Sequence, residues 1–174
     1  MTAGAIFRDE TAEDHPSIRE LLHTAFQRSG EADLVEALRK EGDLVFGCVA
    51  AIDGLVVGYA ALSRMSAPFP ALGLGPVAVA EGRRRSGVAS ALLRWSLARA
   101  QDERWRAIFV LGDGAFYGRF GFRPELAAGF GSPYAGPHFL ALALNGALPA
   151  AEGTVDYAPA FGRICAARSG VSGV

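Results

Sequence analysis

Residues 72–111 constrain the architecture more than any other stretch of the chain. An apolar run at Leu72–Val79 gives way to a charged turn, then to Val88–Gln101, then to a second apolar run at Ala107–Leu111. Within the middle segment Val88, Leu92, Trp95 and Ala98 recur at intervals that place them on one side of a helix. Strand, helix and strand in that order are expected of parallel neighbours, because a parallel pair needs a crossover connection. The expected fold class is therefore α/β, a sheet packed by helices.

The flanking segments extend this plan. Ala5–Arg8 reads as a short strand, and Thr11-Ala-Glu-Asp14 resembles a capping box that opens a helix through Phe26, with Ile18, Leu21, Leu22, Ala25 and Phe26 on its apolar stripe. A second helix is expected over about Ala32–Lys40. Leu44–Ile52 and Leu55–Leu62 are separated by Asp53-Gly54, a strong two-residue hairpin signal, so they should pair antiparallel. Downstream, strands are expected at Phe139–Leu144 and Thr154–Tyr157, and residues 158–174 read as a loose tail.

At 174 residues, with 51% hydrophobic and 20% charged positions, the chain has the size and apolar content of one globular domain, with a core spanning about 5–165. Seventeen Lys+Arg against eighteen Asp+Glu give a net charge of −1, so no global field draws it onto nucleic acid or an anionic membrane. An anion site must be local. Cys48 and Cys165 have no metal-ligand spacing around them, which argues against a disulfide framework or a structural metal and favours a reducing cytoplasm. The first twenty residues hold seven charged positions and no continuous apolar stretch for export, so a soluble protein is expected.

The turn between the two strands of the crossover unit reads Glu81-Gly-Arg-Arg-Arg-Ser-Gly-Val-Ala89. A helix N-terminus leaves backbone N–H groups unpaired and carries partial positive charge, so a tight turn there can wrap a diphosphate. Gly87 removes the Cβ that would block the approach, Ala89 is small, and Arg83, Arg84 and Arg85 bring positive charge. The plainer alternative is a solvated run of arginines. The pattern fits neither a P-loop nor a dinucleotide fingerprint.

In context, strand followed by Arg84-x-x-Gly87-x-Ala89 and a helix resembles the pyrophosphate signature of the GNAT acetyltransferases. A second segment, Phe116-Tyr-Gly-Arg-Phe-Gly-Phe122, matches that family's Tyr-x-x-x-Gly-Phe pattern at Tyr117 and Gly121-Phe122. Leu111-Gly-Asp113 ahead of it looks more specifically like the YhbS-like bacterial branch, a likeness that extends over most of residues 5–165.

The resemblance implies a GNAT-type mixed sheet of about six to seven strands with helices on both faces, splayed between strands 4 and 5. Acetyl-CoA would lie in that opening as cosubstrate, with Val77 and Val79 pairing its pantetheine amides. Arg84, Arg85, Ser86, Gly87, Val88, Ala89 and Ser90 would hold its phosphates, and Tyr117 would sit at the sulfur as general acid. The implied reaction is N-acetyl transfer to a small-molecule or peptide amine by direct attack in a ternary complex. A CoA-binding or sensing module without catalysis is the alternative. No metal, nucleic acid or membrane partner is implied, and a homodimer is among the assemblies found in relatives.

The fourth strand carries no Glu or Asp where many relatives place a base. Glu31, at the start of the second helix, is the weak candidate; Glu81, His138 and bulk water are the other options. Asp113 stands where relatives often use Asn. Tyr59, Met65, Phe69, Tyr134 and Phe139 are candidates for an acceptor pocket, though residues of these types are more often core or rim packing. Neither Cys48, expected inside a buried strand, nor Cys165 has a neighbouring base for a covalent acyl-enzyme.

Overall fold

The computed structural model describes residues 4–164 together with Ser172 and Gly173. Strand β1 (Ala5–Asp9) leads through a 3₁₀ turn to helix α1 (His15–Phe26), then α2 (Gly30–Glu41). The antiparallel run β2 (Leu44–Ile52), β3 (Leu55–Arg64) and β4 (Ala71–Val79) follows. Next come α3 (Val88–Asp102), β5 (Ala107–Leu111) and the one-turn helices α4 (Gly114–Tyr117) and α5 (Pro124–Ala127). The remaining elements are β6 (Phe130–Gly131), β7 (Phe139–Ala143), β8 (Gly153–Thr154), α6 (Pro159–Ile164) and β9 (Ser172–Gly173).

The main sheet runs β1-β2-β3-β4-β5-β7, with β9 also pairing β4, while β6 and β8 form a separate two-stranded sheet. The β2–β3 turn is built as the sequence predicts, with Asp53 and Gly54 both at positive φ. The β4–β5 pair is parallel and the β5–β7 pair antiparallel, so the sheet is mixed.

Alternation along the strands sends side chains to two cores. Cys48, Ala50, Leu62, Leu72 and Leu74 pack with Leu92 and Leu93 of α3 on one face. Val49, Ala51, Tyr59 and Ala61 pack with Ile18 and Leu22 of α1 on the other. Helices thus cover both faces. Among the described residues no helix is long and apolar enough to cross a membrane.

The end of the chain departs from the sequence expectation in two places. Thr154–Tyr157 is not a full strand: only Gly153–Thr154 pairs, with Phe130–Gly131, and Asp156 makes an isolated bridge to Ser66. Tyr157 is instead turned into the core. The stretch from 158 is also more than a loose tail, since Pro159 opens α6, whose Ala160 and Phe161 are buried in a cluster with Leu34 and Leu38 of α2. Six residues are too few for periodicity to show from sequence. Cys165 lies outside the described residues.

Candidate active site

Strand β4 reaches its C-terminal end beside two different neighbours. It pairs with β5 only from Ala71 to Leu74, opposite Ala107 to Val110. The next residues are Gly75-Pro76, and proline has no N–H to continue a ladder. From there the strands part. In the gap Val77 and Ala78 pair in parallel with Ser172 and Gly173. The edge expected to meet a pantetheine arm is therefore open toward β5 and held by the chain's own residues 172–173.

Beyond Val79 the chain makes a 3₁₀ turn at Glu81–Arg83, with the Arg83 amide donating to Ala80 (2.8 Å) and the Arg84 amide to Glu81 (3.2 Å). Arg85 and Gly87 then both take positive φ, +60° and +86°, and Gly87 is the N-cap of α3. That conformation disfavours a side chain, which is why glycine suits position 87. The Ser86 hydroxyl donates to the Arg83 carbonyl and ties the turn together. The first helical bond runs from the Ala91 amide to the Gly87 carbonyl (3.0 Å), so the amides of Val88, Ala89 and Ser90 have no acceptor one turn back.

A cavity of about 370 Å³ adjoins this turn, with Gly87, Ala89 and Ser90 on one wall, Val79 at the end of β4, and Phe116 and Arg119 opposite. Arg83, Arg84 and Arg85 all line it. Arg119 is a residue that sequence reasoning missed. Its guanidinium lies 4.8 Å over the Phe116 ring and 3.5 Å from Ser90 Oγ, adding a fourth cation to the rim. It occupies a variable position of the Tyr-x-x-x-Gly-Phe pattern, and spacing alone does not say which variable side chain faces the turn.

Tyr117 closes α4 and is buried, 1% exposed. Asp113 caps this short helix, its Oδ1 accepting from the Ala115 amide at 2.9 Å. The Tyr117 ring meets Phe116 and Phe122 edge-on at 4.9 and 5.7 Å and lies against the backbone of Gly112. Its position is thus fixed by packing from several sides.

The candidate bases are placed apart. Glu31 is fully buried at the start of α2, and both its carboxylate oxygens accept from Arg28. Its acceptor positions are therefore engaged, and use as a base requires Arg28 to let go. Glu81 and His138 are exposed. Of the acceptor-pocket candidates, Tyr59 is fully buried and donates to Glu10 at 2.7 Å, in a cluster closed by Arg39, so its hydroxyl is already engaged in an internal network. Met65 and Phe69 are core, and Phe139 is buried against Phe109. Tyr134 lines a cavity with Tyr157.

Cys48 is fully buried in β2, and burial first of all pushes its thiol up to about 12, against a smaller opposing hydrogen bond from Ser96. It is neutral and enclosed near pH 7. Among the described residues no three His, Cys, Asp or Glu side chains cluster as metal ligands.

The family model described as an acetyltransferase (GNAT) domain matches residues 7–124, from β1 through the Tyr117 segment. The chain belongs to the GNAT acetyltransferase family. This GNAT chain is 40% identical over 127 residues to the uncharacterized N-acetyltransferase YhbS of Escherichia coli K12, covering 71% of this chain and 75% of the relative. It is 31% identical over 130 residues to YjhQ of the same organism, an uncharacterized N-acetyltransferase, covering 70% and 71%.

Among solved structures it superposes on Escherichia coli YhbS in complex with CoA with a TM-score of 0.87 and 33% identity, over 98% of this chain and 96% of the other. A GNAT acetyltransferase from Brucella melitensis in complex with acetyl-CoA gives 0.78 and 32%, over 90% and 97%. The GNAT chain is an acyltransferase, and its splayed mixed sheet is the GNAT fold.

Proposed function

We propose that this GNAT protein transfers the acetyl group of acetyl-CoA to a primary amine by direct attack within a ternary complex, as one domain spanning residues 1–174. The carrying observation is the cavity in which the amides of Val88, Ala89 and Ser90, without a helical acceptor among the described residues, adjoin four arginines at the end of a strand that has parted from its neighbour. The CoA and acetyl-CoA complexes of the two relatives support the cofactor assignment.

In this reading Arg84, Arg85, Ser86 and Gly87 hold the pyrophosphate together with the amides at the start of α3. The pantetheine takes the β4 edge at Val77 and Val79, displacing Ser172 and Gly173 from the groups with which they pair. The amine nitrogen attacks the thioester carbonyl, the carbon–sulfur bond breaks, and the leaving thiolate takes the Tyr117 phenol proton. A strand N–H polarises the carbonyl as negative charge develops on it. Glu31 is the candidate that takes the amine's proton.

Direct attack is supported by Cys48, which is buried and has a raised pKa, so it offers no nucleophile. The test is CoA release from acetyl-CoA across an amine panel, with CoA binding followed by calorimetry. Release that depends on the amine is expected; binding without release from any amine removes the catalytic reading.

A further inference from the structure

Among the described residues two hydroxyls are buried without a hydrogen-bond partner, and both lie beside Gly73. Tyr157, 7% exposed, has an orphan Oη, and fully buried Ser63 has an orphan Oγ. The Tyr157 ring covers Gly73 so closely that a β-carbon there would stand 2.6 Å from its Cδ1 and Cε1. Ser63 is the cross-strand partner of Gly73, so its side chain leaves the same face of the sheet. Gly73 pairs with Phe109 in β5 one residue before the strands part. The orphan hydroxyls therefore flank the fork at which the thioester would be aimed. Burial, then the phenols of Tyr134 and Tyr117, push the ionisation of Tyr157 upward, so it stays a neutral donor and acceptor.

A buried polar group without a partner is costly, and in native proteins such a group calls for an explanation. The surroundings supply one. Tyr157 lines a cavity of about 390 Å³ with Tyr134, Phe161, Pro133, Pro159 and Asp156. The rings of Tyr134 and Tyr157 meet edge-on at 5.2 Å, and those of Tyr157 and Phe161 are tilted at 4.7 Å. Asp156 is exposed at this cavity, and among the described residues its carboxylate makes no ion pair and no basic residue lines the space. Aromatic faces and an uncompensated carboxylate favour an organic cation and disfavour an anion.

We infer that this cavity receives the acceptor as a primary amine on a flat apolar body, with the Tyr157 and Ser63 hydroxyls bonding its nitrogen end at the β4–β5 fork. The inference rests on the acetyl-transfer reading above. The apolar body lies between Tyr134 and Phe161, Asp156 attracts the ammonium form on entry, and the nitrogen is presented toward the gap.

The probe is 2-phenylethylamine, followed in the full chain by saturation-transfer NMR for binding and by CoA release from acetyl-CoA for turnover, with glutamate as the anionic comparison. Asp156→Asn and Tyr157→Phe are each expected to raise the KM for phenylethylamine about tenfold with CoA affinity unchanged. Glutamate should be acetylated at least tenfold less efficiently. Tyr157→Phe should also keep or raise the melting temperature, because it removes a hydroxyl that has no partner in the free protein; a structural role would lower melting and KM effects would follow it. Unchanged KM in both variants, equal use of glutamate, or an ordered water retained on both hydroxyls with amine bound overturns the assignment. If phenylethylamine binds and no amine releases CoA, the transfer reading fails and the pocket stands. If other amines release CoA and phenylethylamine does not bind, the pocket fails and transfer stands.

Discussion

The Tyr117 ring rests on the backbone of Gly112, so closely that a β-carbon at Gly112 would stand 2.4 Å from Tyr117 Cε2. Glycine at 112 is thus what lets the phenol lie where it does. Tyr117→Phe keeps this packing and removes the proposed proton donor, so kcat should fall about 100-fold, the lower end of general-acid contributions, with CoA affinity nearly unchanged. Gly112→Ala should push the ring aside and lower kcat with Tyr117 intact. Steady-state kinetics with calorimetric CoA binding separates the two effects, and a full rate in Tyr117→Phe at saturating substrate removes the acid role.

Gly87 holds φ at +86° as the N-cap of α3. A β-branched residue in left-handed backbone costs about 1–2 kcal/mol, so Gly87→Val should relax the turn in the free protein. Binding must then restore the turn, which weakens CoA by about five- to thirtyfold. Circular dichroism should show the fold retained, since the strain is local. An unchanged CoA dissociation constant would count against the pyrophosphate assignment.

The sequence disclosed those parts of the fold that rest on periodicity or turn chemistry. Asp53-Gly54 marked a hairpin because few residue pairs accept two positive φ values, and the structure shows both. Val88–Gln101 read as a helix and runs Val88–Asp102. What stayed hidden depends on contacts between distant segments. Pro76 is a local sign of the departure of β4 from β5 after Leu74, but a proline alone does not say which neighbour is lost, and the splay entered only through the resemblance. Tyr157 looked like the end of a strand because its neighbours alternate, yet its ring is drawn onto Gly73, 84 positions upstream. Arg119 comes near the start of α3 only because the turn after α4 sits beside Ser90.

Cys48 lies in β2 under α3, with no exposure and a thiol pushed up to about 12. Cys48→Ala removes a small buried group, so some stability should be lost, on the order of 1 kcal/mol, while acetyl transfer continues. Thermal melting and CoA release on the same preparation test this together. Complete loss of transfer in a folded variant would restore a covalent route.

Asp14 joins β1 to the start of α1. Its two oxygens accept from Arg8 at 2.6 and 2.8 Å, and Oδ2 also takes the Thr11 amide at 2.7 Å. The Arg8 hydrogen bonds first of all, then those from Thr11, hold its carboxyl well below the ordinary carboxylate range, although burial opposes them. A depressed folded pKa adds stability above the unfolded value, about 3.9, and that stability is lost as pH falls toward the folded pKa. The Asp14 contribution to the urea midpoint should therefore be full and independent of pH near neutrality and shrink from about pH 4 downward. Asp14→Asn should cost about 1–3 kcal/mol at pH 7, because Arg8 loses its charged partner, and should then fall less steeply in acid. Urea titrations of both proteins from pH 7 to 2 measure the difference; parallel curves would show that the Arg8–Asp14 pair does not govern the acid response.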